Sequence, residues 1–394
     1  MTSAVIVDAV RSPMGRGKPG GALSGLHPVE LLAQTLTGLV DRNGIDPGVV
    51  EDVIVGCVSQ GGEQAATPGR QAWLAAGYPE HVPATTIDRR CGSAQQALHF
   101  AVQAVMAGVH DVVVAGGVES MSRVPMGSAR MGADVYGPSV TERYAPGLVS
   151  QGVAAELVAA RWGIGREAMD AYSVRSHARA AAVADSGGFD TELVPIHVPG
   201  RVEPVVADET IRRGTTVDKL AGLRSAFADD AIAQRFPEID WSVTAGNSSQ
   251  ITDGASAVLV MSEQRAIAYG LRPRARIVAM SVVGDDPVAM LTAPIPATRM
   301  VLDRAGLAIG DIDAVEINEA FAAVPLAWQA EFGVDEDRLN PAGGAIALGH
   351  PLGASGARLF ATLLNQLERT GGRYGLQTMC EAGGMANAAV IERL

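Results

Sequence analysis

The chain contains 394 residues, including 46 glycines but only 4 tryptophans, 6 tyrosines and 7 phenylalanines, and its formal net charge is −12. A hydrophobic fraction of 47% against 19% charged residues excludes a disordered chain, and 3 cysteines are too few for a disulfide scaffold. The acidic charge, and the lack of a basic run with interleaved aromatics, argue against nucleic-acid binding. This length predicts a large core divided over two or three domains.

The sequence shows no targeting segment and no membrane span. Residues 1–4 lead directly into a strand-like run and lack the basic, apolar and small-residue regions of a secretion signal. No stretch of about 18 apolar residues occurs, as a transmembrane helix would need. We therefore expect a cytoplasmic protein with reduced thiols.

Short apolar runs alternate with longer helical patterns, which predicts an α/β fold with helices covering a parallel sheet. In chain order, buried strands are predicted at 5–7, 53–55 and 112–114. Apolar residues at helical spacing predict helices over 28–39 and 94–107. The N-terminal part of the chain is therefore predicted to form one α/β unit.

The C-terminal part is predicted to repeat this unit. Three matches carry the prediction: 50–55 with 312–317, Ala115-Gly116-Gly117 with Ala382-Gly383-Gly384, and Ile6-Val7 with Ile277-Val278. The two members of each match are separated by nearly the same length of chain. Because the matches also keep the same order, we expect two copies of one α/β unit.

The region between the copies breaks the alternation and contains proline, glycine and charged segments around a helical stretch at 152–184. We predict an inserted loop domain there. A strand and a helix within 254–269 then complete the first copy. The predicted divisions are 1–119 with 244–270 for the N-terminal half, 120–243 for the inserted loop domain and 271–394 for the C-terminal half.

Cys91 lies between the strand-like run 84–87 and a helical pattern that starts at Ala94. At a helix N-terminus, unpaired N–H groups and the helix dipole favour a thiolate and lower the pKa of a thiol. Cys91 is therefore a candidate nucleophile. The alternative is an inert buried cysteine, which is the more common fate of the residue.

Three further stretches carry groups with catalytic chemistry. His350 is surrounded by the glycines and prolines of 340–358, a density that allows close backbone approach rather than a polar surface loop. Cys380 ends an apolar strand before Gly383-Gly384 and is either a proton donor and acceptor or a small strand-end residue. Asn318 follows a strand and either donates to an oxyanion or caps a helix.

Together these stretches resemble the thiolase family, and the similarity runs through nearly the whole chain. It rests on Cys91-Gly92-Ser93, Asn318-Glu319-Ala320-Phe321, Gly349-His350-Pro351 and Cys380 with its glycine turn, in the family's order and approximate spacing. The resemblance implies two similar halves in a five-layered α/β/α/β/α fold with a loop domain inserted in the first. It also implies coenzyme A thioesters as substrates, no tightly bound cofactor or metal, and a homodimer or homotetramer.

The resemblance assigns a role to each matching residue. Cys91 is the expected nucleophile, which carries the acyl group as a thioester, and His350 the base that takes its proton. Cys380 is expected to protonate or deprotonate the acetyl-CoA carbon. Asn318, through a water, and His350 are expected to form one oxyanion hole, and the N–H groups of Cys91 and Ala382 the other.

The inserted loop domain is expected to bind coenzyme A. Segments 208–216 and 223–227 resemble the nucleotide-contacting part, and the loop 245–249 the part that contacts pantetheine. An alternative for the first segment is a solvated charged turn. The contact residues expected from the resemblance are Arg212, Phe227, Ala245, Ser249 and Phe321.

Two departures from the family's pattern have consequences. Ala382 stands where many thiolases have glycine, so access to a positive φ is lost and the second oxyanion hole is weakened if that dihedral is needed. Gln151 stands where a methionine is common, so the acyl-chain preference does not transfer.

The expected reaction is thiolytic cleavage of a 3-ketoacyl-CoA by CoA, reversible as a Claisen condensation. The sequence Asn247-Ser248-Ser249-Gln250 resembles that of degradative 3-ketoacyl-CoA thiolases more than that of biosynthetic acetoacetyl-CoA thiolases. The biosynthetic enzyme stays an alternative. A decarboxylating condensing enzyme is disfavoured by Cys380 and by the segment 318–321. A non-catalytic acyl-CoA or lipid carrier with the same fold is the rival from another functional class.

Overall fold

The computed structural model describes residues 3–394. They fold around a mixed β-sheet that has two halves. Met1 and Thr2, on which part of the expectation about the N-terminus rests, lie outside these residues. The strands are β1 Ala4–Arg11, β2 Gly15–Arg16, β3 Asp52–Gly56, β4 Ala84–Ile87, β5 Val112–Ser120, β6 Thr252–Ser262, β7 Ala275–Gly284, β8 Ala314–Ile317, β9 Tyr374–Glu381 and β10 Met385–Arg393.

The helices include those that cover both faces of this sheet and those of the predicted inserted domain. They are α1 Pro28–Asn43, α2 Pro68–Ala75, α3 Ser93–Met106, α4 Gly137–Arg143, α5 Gln151–Trp162, α6 Arg166–Asp185, α7 Val217–Ala221, α8 Asp230–Arg235, α9 Glu263–Ala268, α10 Pro294–Ala305, α11 Ala323–Phe332, α12 Ala345–Leu348 and α13 Ser355–Thr370. The helical stretch predicted at 152–184 is two helices, because Gly163 adopts φ 63° and ends α5 as a left-handed cap.

The strands run in the order β4-β3-β5-β6-β1-β7-β10-β9-β8, with β2 beside β6. Strands β3, β4 and β5 pair in parallel, as do β8 and β9. The pairs that involve β6, β7 and β10 are antiparallel. The prediction of a parallel sheet is thus wrong for the middle of the sheet, which the periodicity of single strands cannot show because strand direction depends on the connections.

The sheet register confirms the internal repeat and corrects one of its matches. Val53 pairs with Val114 in the first half, and Val315 pairs with Leu376 in the second. The two paired residues are separated by the same length of chain in both halves. The match of Ala115–Gly117 with Ala382–Gly384 is wrong, since the first glycine pair lies inside β5 and the second in the turn after β9.

Five layers result from this arrangement. Helices α1 and α2 cover one face of the N-terminal half-sheet, and α10 and α11 cover the outer face of the C-terminal half-sheet. Helices α3 and α13 pack against each other between the half-sheets and share one apolar core. Because β1, β5 and β6 are covered on both faces, each of their residues is buried, which explains their continuous apolar runs.

Several strands end at one edge of these layers, and the candidate catalytic residues lie at or after those strand ends. Cys91 comes after β4, Asn318 directly follows β8, and Cys380 lies near the end of β9. The carboxyl ends of parallel strands are the usual position of α/β active sites. Within residues 3–394, no helix combines the length and apolar character needed to cross a membrane.

Candidate active site

Cys91 lies just before α3, whose N-cap position is Gly92, and its side chain is buried. Burial and, to a lesser extent, the charge of Glu381 raise the pKa of the Cys91 thiol to about 12. A hydrogen bond from the Gln151 side chain opposes this rise. The expected lowering of the Cys91 pKa is therefore wrong, because loss of solvation and a nearby carboxyl group outweigh the helix dipole.

Cys380 is buried beside Cys91, near the turn end of the antiparallel pair formed by β9 and β10. Burial raises the pKa of its thiol well above the ordinary value, and Cys91 and Glu381 raise it further. A hydrogen bond from the Asn318 side chain acts in the opposite direction. Both thiols are consequently neutral in the resting site, and a base must remove a proton before either can attack.

His350 supplies a neutral imidazole that contacts the hydroxyl of its neighbour Ser355. The Ser355 hydroxyl donates its only hydrogen to the carbonyl of Pro351 at 2.8 Å and lies 2.6 Å from His350 Nδ1. With its hydrogen on the Pro351 carbonyl, the hydroxyl accepts a hydrogen bond from Nδ1–H, and this tautomer leaves Nε2 unprotonated. Burial and the charge of Arg358 lower the pKa of His350 to about 3, so the imidazole is uncharged near neutral pH.

Asn318 faces this unprotonated nitrogen. Its Nδ2 lies 3.4 Å from His350 Nε2, and its Oδ1 has no hydrogen-bond partner among the described residues although the side chain is buried. The alternative role of a helix cap is excluded, because the next helix, α11, has Ala322 at its N-cap position. The amide is thus free to bind a ligand or a water at the site.

Glu319 fixes the neighbourhood of Asn318, a role that the sequence analysis did not assign. Its carboxylate accepts hydrogen bonds from Tyr172 and Ser176 on α6, from the Asn340 amide at 3.0 Å, and from the Ile346 N–H at 3.0 Å. These bonds connect the predicted inserted domain to the loop that leads to His350. The acidic residue after Asn318 was the available sequence signal, but its partners lie far away in the chain.

Glu119 at the end of β5 fixes the other side of the histidine loop and was also missed. One carboxylate oxygen accepts from Ser59 N–H and the Gln64 side chain, and the other from Val58 N–H and Gly353 N–H. Burial raises the pKa of this carboxyl group, and the four donors oppose the rise. Glu119 therefore holds Gly353, three residues after His350, against the loop that follows β3.

Gly349 shows why the histidine loop is rich in glycine. Its φ is +90°, and an added Cβ would lie 2.3 Å from the Thr252 hydroxyl oxygen. That hydroxyl accepts a hydrogen bond from the His350 N–H at 3.0 Å. A side chain at position 349 would displace the residue that orients the histidine backbone.

Ala382 requires no glycine dihedral in this structure. Gly383 and Gly384 have φ values of +94° and +75°, whereas Ala382 is not among the residues with positive φ. Across residues 3–394, neither the Cys91 N–H nor the Ala382 N–H donates to a backbone carbonyl. The alanine therefore leaves its amide available to an oxyanion without backbone strain, and the condition that would have weakened this hole does not arise.

A cavity of about 280 Å³ opens between the predicted inserted domain and the loop 245–250. Arg212 and Ala245, both expected contacts, line it. Arg213 and Lys219 add two more cationic side chains that the sequence analysis did not single out. This protein of net charge −12 therefore has a local basic site that can hold an anionic ligand.

The other expected contacts lie beside this cavity rather than in its lining. The rings of Phe227 and Phe321 meet edge to face with centroids 5.9 Å apart. Ser249 donates its N–H to the Ala320 carbonyl at 2.9 Å. The Phe227 ring also packs on Gly152, where an added Cβ would lie 2.3 Å from the ring. These residues join the cavity to the segment that carries Asn318.

Comparisons with known proteins agree with this geometry. The model of the thiolase N-terminal domain matches residues 4–264, and that of the C-terminal domain matches residues 271–393. The steroid 3-ketoacyl-CoA thiolase FadA6 of Mycobacterium tuberculosis is 51% identical over 402 residues, covering 100% of this chain and 95% of that protein. A 3-ketoacyl-CoA thiolase of Erwinia tasmaniensis is 44% identical, covering 100% of both chains.

The crystal structure of the Bacillus anthracis acetyl-CoA acetyltransferase superposes with a TM-score of 0.88 at 40% identity. The match covers 100% of this chain and 99% of that one. The five-layered duplicated fold expected from the resemblance is therefore confirmed. Both halves match their family models, and the two full-length relatives share about half of their residues with it, so the chain belongs to the thiolase family of acyltransferases.

Proposed function

We propose that this protein catalyses thiolytic cleavage of a 3-ketoacyl-CoA to acetyl-CoA and a shortened acyl-CoA, reversible as a Claisen condensation. The observation that carries the proposal is the convergence of two adjacent buried thiols, Cys91 and Cys380, with the Asn318 amide and the neutral imidazole of His350. Cleavage of a carbon–carbon bond in this way needs one thiol to carry an acyl group and another to protonate a carbanion.

In the first half-reaction, His350 Nε2 takes the proton of Cys91, and the sulfur attacks the C3 carbonyl of the substrate. The C2–C3 bond then breaks, and its electron pair goes to C2. Cys380 transfers its proton to C2, so acetyl-CoA leaves and the shortened acyl group stays on Cys91 as a thioester. The raised pKa of the Cys380 thiol keeps it in the protonated form that this step consumes.

In the second half-reaction, the thiol of free CoA gives its proton to the Cys380 thiolate and attacks the thioester carbonyl. Cys91 leaves and recovers its proton from the His350 imidazolium. Every proton is then back in its starting position. The neutral His350 of the resting structure is the form that begins the cycle.

Charge on the reacting carbonyl oxygens needs preorganised donors. We assign one oxyanion site to His350 and Asn318, the latter through a water, because the Asn318 amide lies 3.4 Å from His350 Nε2. The second is assigned to the N–H groups of Cys91 and Ala382, which donate to no backbone carbonyl in residues 3–394. Glycine turns on both sides bring these amides close to a bound thioester.

Coenzyme A is assigned to the basic cavity of the inserted domain. The Arg212 guanidinium lies 3.1 Å from the Gln250 side-chain oxygen, a neutral partner, so its charge is not neutralised by that contact. Lys219, whose ammonium group donates to the neutral Gly214 carbonyl, adds a second cationic partner for phosphate groups, whereas Arg213 is paired with Asp185. Phe227 and Phe321, which meet edge to face, are proposed to line the path of the pantetheine chain, and Ser249 to contact it.

Several properties stay predictions. Coenzyme A is expected to act as a substrate, with no tightly bound cofactor, and the protein is expected to form a homodimer or homotetramer in the cytoplasm. The divisions 1–119 with 244–270, 120–243 and 271–394 are likewise proposed as its structural units. Limited proteolysis and light scattering of one purified sample would test the boundaries and the oligomeric state.

The direct test is cleavage of acetoacetyl-CoA and of longer, branched and steroid-bearing 3-ketoacyl-CoAs in the presence of CoA. The wild-type protein should produce acetyl-CoA and an acyl-enzyme on Cys91, detectable as a mass increase on that peptide. Cys91→Ser should lose at least about a thousandfold of kcat, and Cys57→Ser, which changes a buried thiol outside the proposed site, is the matched control. Full activity of the Cys91 variant would contradict the assignment.

The substrate panel also separates the alternatives. Activity confined to acetoacetyl-CoA would favour a biosynthetic acetoacetyl-CoA thiolase. A preference for bulky substrates would parallel the steroid thiolase relative. No turnover, combined with equal alkylation of Cys91 and Cys57 by iodoacetamide, would indicate a carrier.

A further inference from the structure

Glu381 is a buried carboxyl group that the mechanism above does not use. It follows Cys380 on β9 and has no exposed surface. Neither of its carboxylate oxygens has a hydrogen-bond partner among the described residues. A buried, unsatisfied carboxyl group is expensive for a fold, so its position calls for a functional explanation.

The carboxyl group lies against the nucleophile segment. An added Cβ on Gly92 would lie 1.8 Å from Glu381 Oε1, so the carboxyl group occupies the space beside the residue that follows Cys91. Glu381 therefore lies against the segment that carries Cys91 and directly follows Cys380 on β9. Glycine at position 92 is what allows this approach.

The internal repeat supplies a comparison for this position. Val114 on β5 and Leu376 on β9 are repeat equivalents, and Glu119 and Glu381 follow them by the same number of residues. Glu119 accepts four hydrogen bonds, which shows that a carboxylate at this point of the fold can be fully satisfied. Glu381 accepts none of normal geometry from the described residues, and the Asn387 N–H near it belongs to the same hairpin, so Glu381 does not serve as a clamp between loops.

The titratable groups around Glu381 act on one another. They are Arg89 and Cys91 before α3, His99 on α3, Cys380 on β9 and Glu119 on β5. Burial raises the pKa of Glu381 to about 8, and Arg89 and the nearby Asn387 N–H oppose this rise. Glu381 in turn raises the pKa values of both Cys91 and Cys380. The carboxyl group is therefore coupled to both thiols by charge.

We propose that Glu381 is a positioning residue that acts through Cys91 and Cys380: once its carboxyl group has ionised, the charge keeps both thiols protonated to a higher pH than burial alone does. The catalytic importance of this effect rests on the function proposed above, in which Cys380 must carry a proton to give to C2. A neutral side chain at position 381 would let both thiols ionise at lower pH.

Alkylation by iodoacetamide tests this without any assumption about turnover. The rate at each cysteine is measured by peptide mass spectrometry from about pH 7 to about pH 11 for wild type, Glu381→Gln and Glu381→Asp, a range in which the Glu381 carboxyl group becomes charged. In Glu381→Gln the alkaline profiles of Cys91 and Cys380 should move down by about one pH unit, which is about a tenfold faster rate at a given alkaline pH. Glu381→Asp keeps the charge and should stay close to wild type.

Two controls accompany the measurement. Cys57 is an internal reference, because burial and the charges of Glu119 and Asp88, but not Glu381, raise its pKa. Glu156→Gln removes a different buried carboxyl group, one that accepts from the Ser242 and Val243 N–H groups. Neither the Cys57 profile in Glu381→Gln nor the Cys91 profile in Glu156→Gln should move.

Unchanged profiles at Cys91 and Cys380 in Glu381→Gln would overturn the proposal, whether or not the enzyme cleaves 3-ketoacyl-CoA. Should that variant fail to fold, Glu381→Met removes the same charge and allows the same comparison. If cleavage is active, its alkaline limb should also move to lower pH in Glu381→Gln. Absence of cleavage in wild type, with the alkylation shift present, would contradict the proposed function and leave the coupling established.

Discussion

The ends of β5 and β9 occupy the same place in the two halves of the molecule but have different tasks. Glu119 at the end of β5 binds four donors and ties together the loops around Gly353. At the end of β9, neither carboxylate oxygen of the buried Glu381 has a hydrogen-bond partner among the described residues, and Cys380 adjoins Cys91. One half therefore provides a rigid support, and the other provides groups whose protonation can change.

This difference explains how a duplicated fold makes one asymmetric site. In the register of the repeat, Cys380 corresponds to Val118 and Asn318 to Gly56. Val118 is an ordinary core residue, and an added Cβ on Gly56 would lie 2.5 Å from the Ala94 backbone nitrogen. The N-terminal copy uses these positions for packing around α3, whereas the C-terminal copy uses them for polar groups.

The largest effect should come from truncating the side chains at the two equivalent strand ends. Cys380→Ala removes the proposed proton donor and should lower kcat for cleavage by about a hundredfold to ten-thousandfold. Its repeat equivalent, Val118→Ala, should cost about 2 kcal/mol of unfolding free energy and leave kcat within about threefold. Steady-state kinetics and urea unfolding of both variants check this. Equal kinetic losses would remove the functional distinction between the strand ends.

The second effect concerns the support provided by Glu119. In Glu119→Gln the side-chain NH₂ group must face two N–H donors in either orientation, since each carboxylate oxygen now accepts two bonds. The free energy of unfolding should fall by about 3 kcal/mol. Calorimetry and denaturant titration measure the loss, and an unchanged stability would show that the loops are held by other contacts.

The pH dependence of stability should separate the two carboxyl groups further. The pKa of Glu381 is about 8 in the folded protein and about 4.3 in an unfolded chain. The folded state therefore binds its proton more tightly, and the stability that this group contributes is fully present below about pH 4.3 and is lost as pH rises to about 8. Urea unfolding of wild type and Glu381→Gln across this window should show a variant that becomes relatively more stable with pH. A constant difference between the two proteins would contradict the shifted pKa.

The smallest effect is the steric coupling between Gly92 and Glu381. Gly92→Ala places a methyl group in the space of the Glu381 carboxyl group and should destabilise the fold by about 2 kcal/mol. Adding Glu381→Ala should recover about 1 kcal/mol of that loss in a double-mutant cycle. Gly92→Ala combined with Glu119→Ala is the control pair. Strict additivity of Gly92→Ala and Glu381→Ala would show that the two residues do not share this space.

Much of the fold followed from local patterns. The strands β3, β4 and β5 and the helices α1 and α3 lie where alternation and helical spacing predicted them, because they bury continuous apolar surfaces. The break between α5 and α6 was missed, although Gly163 and Gly165 were the available signal. The antiparallel middle of the sheet was missed because strand direction is a property of the connections.

The candidate site likewise has features that the sequence predicted and features that it did not. Cys91, Asn318, His350 and Cys380 were identified by residue type and sequence setting. Their burial, which raises the pKa of Cys91 and lowers that of His350, depends on side chains brought from other parts of the chain. The helix dipole was the only effect on Cys91 that local sequence showed, and it pointed in the wrong direction because desolvation was not visible.

The sequence by itself determined the duplicated α/β framework and the residue types at the site, since both depend on periodicity and on motifs within short segments. Only the tertiary structure decided which carboxyl groups are satisfied. Glu119 and Glu381 have the same residue type and the same position in their strands. They differ because four donors from distant loops bind the first, whereas no loop among the described residues donates to the second. Hydrogen bonding and desolvation are properties of the packed surroundings, so the chemical state of a buried group is set by the fold around it.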